Sequence, residues 1–205
     1  MTSIEIFRKP ADADHPIHDL IRERWSPRAF SSRPVEKEKL HSLFEAARWA
    51  ASGGNQQPWN FLFATSEHPE EHARFASILF EGNSRWAQQA PVLILTVAKL
   101  YDVPGKEHIS YYDTGMAASN LVTQAIELGL NTHQMGGFSV EKAHEELNIP
   151  EGYTPLTMIA VGYPGTPETL PDDLRERELA PRTRKALTDF VFEGRWAAPA
   201  PDAEA

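Results

Sequence analysis

Residues 51–61 read Ala51-Ser52-Gly53-Gly54-Asn55-Gln56-Gln57-Pro58-Trp59-Asn60-Phe61. The Gly53-Gly54 step lets backbone come close to a flat ligand, and Ser52, Asn55 and the glutamines offer neutral hydrogen-bonding groups beside it. The same letters also describe a helix C-cap and a polar loop leading into a strand, and in isolation both readings stand. Upstream, Leu40, Leu43, Phe44 and Ala47 recur at helical spacing and predict a helix over residues 35–50 with one apolar stripe. Downstream, residues 60–65 predict a strand.

Working outward, a short helix is expected at residues 17–24, stopped by Pro27. A charged helix follows near residues 70–80, a buried strand at residues 91–98 and the longest helix at residues 111–129. Gly115, Ala117, Ala118 and Ser119 on its first turns allow close approach, so this helix is expected at the centre of the fold or at a subunit contact. Thr132 to Met135 predicts a short strand running into Gly136-Gly137-Phe138; Ser139 then caps a helix, and residues 157–163 form the last core strand. Residues 164–184 carry four prolines and many charges and are expected as a surface excursion. Phe190-Val191-Phe192 is an apolar run beyond the core that needs something to pack on. The alternation of helices and strands predicts one α+β or α/β domain over residues 1–205, with residues 1–16 an irregular arm and residues 188–205 a C-terminal extension.

The 29 acidic and 20 basic residues leave a net charge of −9, which disfavours nucleic acid as a partner, since a phosphate backbone demands a basic face. The chain has no cysteine, so disulfides, thiolate nucleophiles and cysteine-held metals drop out. The apolar run at residues 91–98 is too short for a bilayer, and residues 1–16 lack the apolar stretch of a signal peptide, so a cytoplasmic protein without a membrane partner is expected.

Three further clusters have polar chemistry. Arg24-Trp25-Ser26-Pro27-Arg28 can converge two guanidiniums and a hydroxyl on one phosphate or carboxylate, or be a charged helix end paired with Asp19 or Glu23. Gln134-Met135-Gly136-Gly137-Phe138 can present backbone N–H groups to a ligand, or be a tight turn; His133 beside it reads as a site neighbour or a structural histidine. Arg182-Thr183-Arg184-Lys185 can complete a phosphate site, or be a solvated basic turn. His15 with His18 and His68 with His72 have ligand-like spacing in polar surroundings, where a solvated surface is expected and no metal. No glycine-rich dinucleotide fingerprint, phosphate-binding P-loop or nucleophile elbow occurs.

In this order and spacing the four clusters resemble the nitroreductase family of FMN enzymes, over roughly residues 17–187. Arg24 to Phe30 resembles the family's opening R-x-S-x-R/K-x-F/Y motif, residues 51–61 its P-S-x-x-N-x-Q-P-W-x-F segment, Gly129 to Phe138 the segment meeting the flavin's central ring, and Arg182-x-Arg184 its late basic pair. The resemblance implies an α+β sandwich with a central mixed sheet flanked by helices, in an intertwined homodimer with FMN at the subunit interface. It implies that residues 188–205 pack on the partner.

Carried over by position, Arg24, Ser26, Arg182 and Arg184 hold the phosphate and ribityl end, Trp25 contributes through its backbone, and Arg28 sits at the N1/O2 edge of the ring. Ala51, Ser52, Gly53 and Asn55 come from the other subunit, while Asn83, Gln134, Met135, Gly136 and Gly137 line the ring. The implied activity is hydride transfer from NAD(P)H through flavin N5 to small electrophiles such as nitroaromatics or quinones, in ping-pong fashion and with no catalytic side chain. The alternatives are a flavin-storage protein of low turnover and a specialised relative such as a reductive dehalogenase. Gly136 stands where some members carry Glu, and the short stretch between residues 98 and 111 leaves the acceptor site comparatively open.

Overall fold

A computed structural model describes residues 7–101 and 105–196. Most of the arm expected at residues 1–16 is therefore visible, whereas residues 1–6, 102–104 and 197–205 lie outside the described residues. In chain order the elements are α1 (Asp19–Glu23), α2 (Lys37–Arg48), β1 (Trp59–Thr65), α3 (Pro69–Ile78), α4 (Glu81–Ala87), β2 (Val92–Lys99), α5 (Glu107–Glu127), β3 (Asn131–Met135), α6 (Val140–Leu147), β4 (Tyr153–Gly162) and α7 (Asp172–Leu179).

The strands form one sheet in the order β1-β2-β4-β3. Seven of the eight β2 residues are buried because both faces of this central strand are covered. Its alternation sends Val92 and Ile94 to one face, where Leu43 and Ala47 of α2 and Leu121 and Ala125 of α5 pack. Leu93, Leu95 and Val97 go to the other, against Phe75 and Ile78 of α3, Trp86 of α4 and Ala143 of α6. The result is the expected α+β sandwich.

The expected mixed sheet is corrected: all three strand pairings among the described residues are antiparallel. Helix α5 joins β2 to β3, and these two strands do run the same way. They are not neighbours, because β4 inserts between them and pairs antiparallel with both. Two helices, α3 and α4, separate β1 from β2 and return the chain to the end it left, which makes that pair antiparallel as well.

Helix α4 lies in a stretch with no predicted element. Its Gly82-Asn83-Ser84 run has poor helix propensity, and the tertiary contacts of Trp86, 2% exposed and stacked on Phe30, hold it instead. The surface excursion expected at residues 164–184 is also corrected, since it contains α7. Only Leu174 and Glu178 of that helix point inward, too few to give an amphipathic signal. The small residues of α5 divide: Ala117 and Ala118 are buried under α2, the expected place at the centre of the fold, and Gly115 and Ser119 are open to solvent. Among the described residues no helix is long and apolar enough to cross a membrane.

Candidate functional site

The loop from Arg24 to Phe30 is fixed from three directions. Beneath it, Gly165 donates to the Ala29 carbonyl at 3.0 Å and Ser31 donates to the Tyr163 carbonyl at 3.0 Å, which docks the loop on the exit of β4. Only glycine fits at residue 165, because a Cβ there would lie 2.7 Å from the Phe30 carbonyl carbon. From β3, His133 donates through Nδ1 to the Pro27 carbonyl at 2.9 Å, the acceptor fixing that tautomer, while its ring packs on Trp86. Burial lowers the His133 pKa to about 4, against two opposing backbone hydrogen bonds and with help from the nearby Arg28 and Arg24 charges.

The third tether is Glu178 of α7. Its side chain is 1% exposed, and its carboxylate accepts the Arg28 N–H at 2.8 and 3.0 Å and the Ala29 N–H at 3.1 Å. The Arg28 guanidinium stands 3.7 Å from the same carboxylate. Lys9 donates to the Glu178 carbonyl at 2.8 Å and to the Ala180 carbonyl, placing a cation at the α7 C-terminus and over the Trp25 ring.

Docking α7 in this way brings Arg182 and Arg184 to Arg24, as the sequence motifs anticipated. Burial comes first, then repulsion from Arg182 and Arg184, in holding the Arg24 guanidinium below its usual pKa. Arg182 is lowered by burial and by Arg184, with Glu23 opposing. Their hydrogen bonds go to neutral groups: Arg24 to the Ser26 hydroxyl at 3.2 Å, Arg182 to the carbonyls of Lys9 and Arg22, and Arg184 to the Thr183 carbonyl. Among the described residues none of the three makes an ion pair. They open on a cavity of about 660 Å³.

Beyond His133, β3 leads to the glycine turn. Asn83 donates from its side chain to the Gly137 carbonyl at 3.0 Å, so these two expected site residues meet. Gln134 and Gly136 are exposed, nothing lies within 4 Å of where a Gly136 Cβ would stand, and the Gly136 carbonyl accepts the Phe138 N–H at 3.1 Å. Met135 turns into the core at 3% exposure and offers only backbone; Trp25 is likewise buried at 7%.

The Ala51–Gln57 loop does not join them. Ala51, Gly53 and Asn55 are exposed and Ser52 half-buried, and the loop is held to the start of α5. There the Asp113 carboxylate accepts the Gly53 N–H at 3.0 Å and the Tyr101 hydroxyl at 2.6 Å. Burial and this bond push the Tyr101 pKa up to about 12. Gly54, Asn55 and Gln57 all have positive φ (56°, 58° and 48°), and Ser52 Oγ accepts the Gln57 N–H to close the turn. Trp25 and Glu23, in contrast, share a cleft with Ile126 and Gly129 at the far end of α5. From Asp113 to Ile126 the helix rises about 20 Å.

Glu178, Lys9, Asp113 and Tyr101 are the residues the sequence reading missed. A lone Glu in a charged helix and a lone Asp in a long one carry no motif, and only the fold reveals their burial.

Comparison with known proteins gives the following. The sequence model of the Nitroreductase family matches residues 21–163. A crystal structure of an oxidoreductase containing FMN superposes with a TM-score of 0.84 at 36% identity, covering 91% of this chain and 96% of that one. An uncharacterized 15.4 kDa protein of Mycolicibacterium smegmatis is 34% identical over 63% of this chain and 87% of its own length. A presumptive NADH dehydrogenase/NAD(P)H nitroreductase of Archaeoglobus fulgidus is 26% identical over 71% of this chain and 83% of its own length.

Proposed function

From the premise that the chain belongs to the nitroreductase family, we propose that it is an NAD(P)H-dependent FMN oxidoreductase of small electrophiles, acting as a homodimer. The observation that carries the reading is the Arg24, Arg182 and Arg184 cluster, three close cations whose hydrogen bonds among the described residues go to neutral groups. Such a cluster is repulsive in itself and is balanced by an anion; a dianionic phosphate monoester has the charge and acceptors to satisfy it.

FMN, held non-covalently, would supply the two-electron hydride chemistry that links NAD(P)H to a nitroaromatic, quinone or similar acceptor. Ser26 extends the phosphate donors toward the ribityl chain, and Trp25 contributes backbone. Arg28 meets the N1/O2 edge, where reduction concentrates negative charge, and stabilises that charge by its guanidinium. The Gly136 N–H would serve the ring near N5, Gln134, Met135 and Gly137 would line the ring, and Asn83 braces the turn through the Gly137 carbonyl. No side chain of this constellation needs to act as nucleophile or proton donor. We assign its work to the cytoplasm, where reduced nicotinamides are available.

The homodimer follows from the half-sites. Ala51, Ser52, Gly53 and Asn55 belong to the loop anchored at Asp113, about 20 Å along α5 from the Ile126 end where Glu23 and Trp25 lie. A two-fold axis across α5 would bring them to the arginines of the other chain. An exposed stripe on α5, including Tyr111, Tyr112 and Met116, is available for that contact. Residues 188–196 belong to the C-terminal extension that would pack on the partner, and their Phe190 and Trp196 are 57% and 88% exposed; the rest of the expected extension lies outside the described residues.

The test is optical. Purified protein is expected to be yellow or to become so with FMN, and to bleach anaerobically with NADH or NADPH before any acceptor is added. Protein that binds no FMN overturns the reading, and yellow protein that never bleaches favours flavin storage. A panel of nitroaromatic, quinone and halogenated acceptors then separates a general reductase from a dehalogenase.

A further inference from the structure

We infer that Glu178 is a positioning residue that sets the reduction potential of the flavin through Arg28. The inference rests on the proposed FMN site and adds to it a residue outside every site motif. A carboxylate 1% exposed loses its hydration, and leaving it unsatisfied would cost several kcal/mol. Glu178 is satisfied almost entirely by one short stretch of backbone: Oε1 takes the N–H groups of both Arg28 and Ala29, and Oε2 shares the first.

These contacts join residues 150 positions apart. They hold Arg28 in one backbone conformation, and with it the origin of the guanidinium. The carboxylate is also the one acidic group within 4 Å of that guanidinium among the described residues. Glu178 thus does two things to Arg28. It fixes where the side chain starts, and it offsets part of the positive charge that the flavin's N1/O2 edge would otherwise feel. The offset is incomplete because 3.7 Å is longer than a close ion pair and Arg28 is 24% exposed, so solvent screens it in part. Lys9, the other cation beside Glu178, is engaged by the carbonyls at the end of α7 and over Trp25 rather than by the carboxylate.

The distinguishing variant is Glu178→Gln. Its carbonyl can still accept both backbone N–H groups from the Oε1 position, so the loop keeps its shape while the negative charge disappears. With the flavin-loaded protein in a spectroelectrochemical cell, the ratio of reduced to oxidised flavin at a fixed potential is expected to rise about tenfold, with the FMN dissociation constant changed less than threefold. Repeated in an Arg28→Ala background, the same substitution is expected to move the ratio less than threefold, because the guanidinium it acts through is gone.

An unchanged ratio in Glu178→Gln overturns the inference, and so does a shift of equal size with and without Arg28. Should Glu178→Gln prove insoluble, Glu178→Asp serves: it keeps the charge but withdraws the grip on the backbone, so the ratio is expected to fall, and an unchanged ratio again overturns the inference. Wild-type protein that takes up no FMN would instead remove the functional reading beneath it, a result visible before any variant is made.

Discussion

Arg28 and His133 are neighbours with different physical roles. Arg28 gives its backbone N–H to Glu178 and leaves its side chain 24% exposed. Arg28→Ala is therefore expected to lower the flavin's reduction potential, by the equivalent of roughly 1.5–3 kcal/mol for a hydrogen bond to a charged group, while loosening FMN binding by less. Spectroelectrochemical and fluorimetric titrations on one preparation compare the two effects. His133 is neutral in the folded protein, since burial drops its pKa to about 4, whereas the unfolded chain titrates it near 6.5. The unfolded state then binds more protons between those values. Stability tied to His133 is complete above about pH 7, declines as pH falls through that window and is lost below about pH 4, on the order of 3 kcal/mol in all. Urea midpoints at pH 7 and pH 4.5 measure the decline, and His133→Gln, which keeps a donor without titrating, is expected to flatten it.

At the scale of elements, a short loop is held by a long helix. The Ala51–Gln57 turn contains three residues with positive φ, a conformation that Gly and Asn adopt more readily than Gln57 does. The Asp113 carboxylate offsets that strain by taking both the Gly53 N–H and the Tyr101 hydroxyl in a place 5% exposed. Asp113→Ala leaves two donors without partners and is expected to cost about 1–3 kcal/mol in chemical denaturation. The same change should weaken FMN binding although Asp113 touches no part of the arginine cluster of its own chain. Tyr101→Phe, which removes one partner and keeps the other, is expected to do less on both measurements. Denaturation and binding changing together tie the anchor to the site; a stability loss with unchanged FMN affinity would detach the loop from it.

At the scale of the whole molecule, the proposed homodimer implies that flavin binding is a property of a pair of chains. A chain carrying Arg24→Ala and Arg28→Ala, mixed with one carrying Gly53→Asp and Asn55→Ala, is expected to regain flavin in heterodimers. Each heterodimer restores one site of two, so the isolated heterodimer should reach about half the occupancy of the wild type, while either variant alone binds little. Sedimentation of tagged pairs with absorbance at the flavin band checks this. Met116→Arg, a charge placed on the exposed α5 stripe, is expected to release monomers and lose flavin in the same step.

Much of this was legible in the sequence, because period and motif are local properties. The stripe of Leu40, Leu43 and Ala47 gave α2, the unbroken apolar run gave central strand β2, and four ordered clusters pointed to the family and to the residues gathered around Arg24. What the sequence could not reveal depends on contacts between distant segments. Strand order was one such property, since β4 enters between strands that precede it and makes the sheet antiparallel. Helix α4 was another, held by the burial of Trp86 rather than by propensity. Residues 51–61 could be read as a polar loop that the family resemblance assigns to the other subunit's site, but their anchor on Asp113, 60 residues on, carried no signal. Glu178 carried no signal at all. A glutamate in a charged, proline-flanked stretch looks solvated until the fold closes over it, and only burial then turns its carboxylate into the anchor of a loop 150 residues earlier.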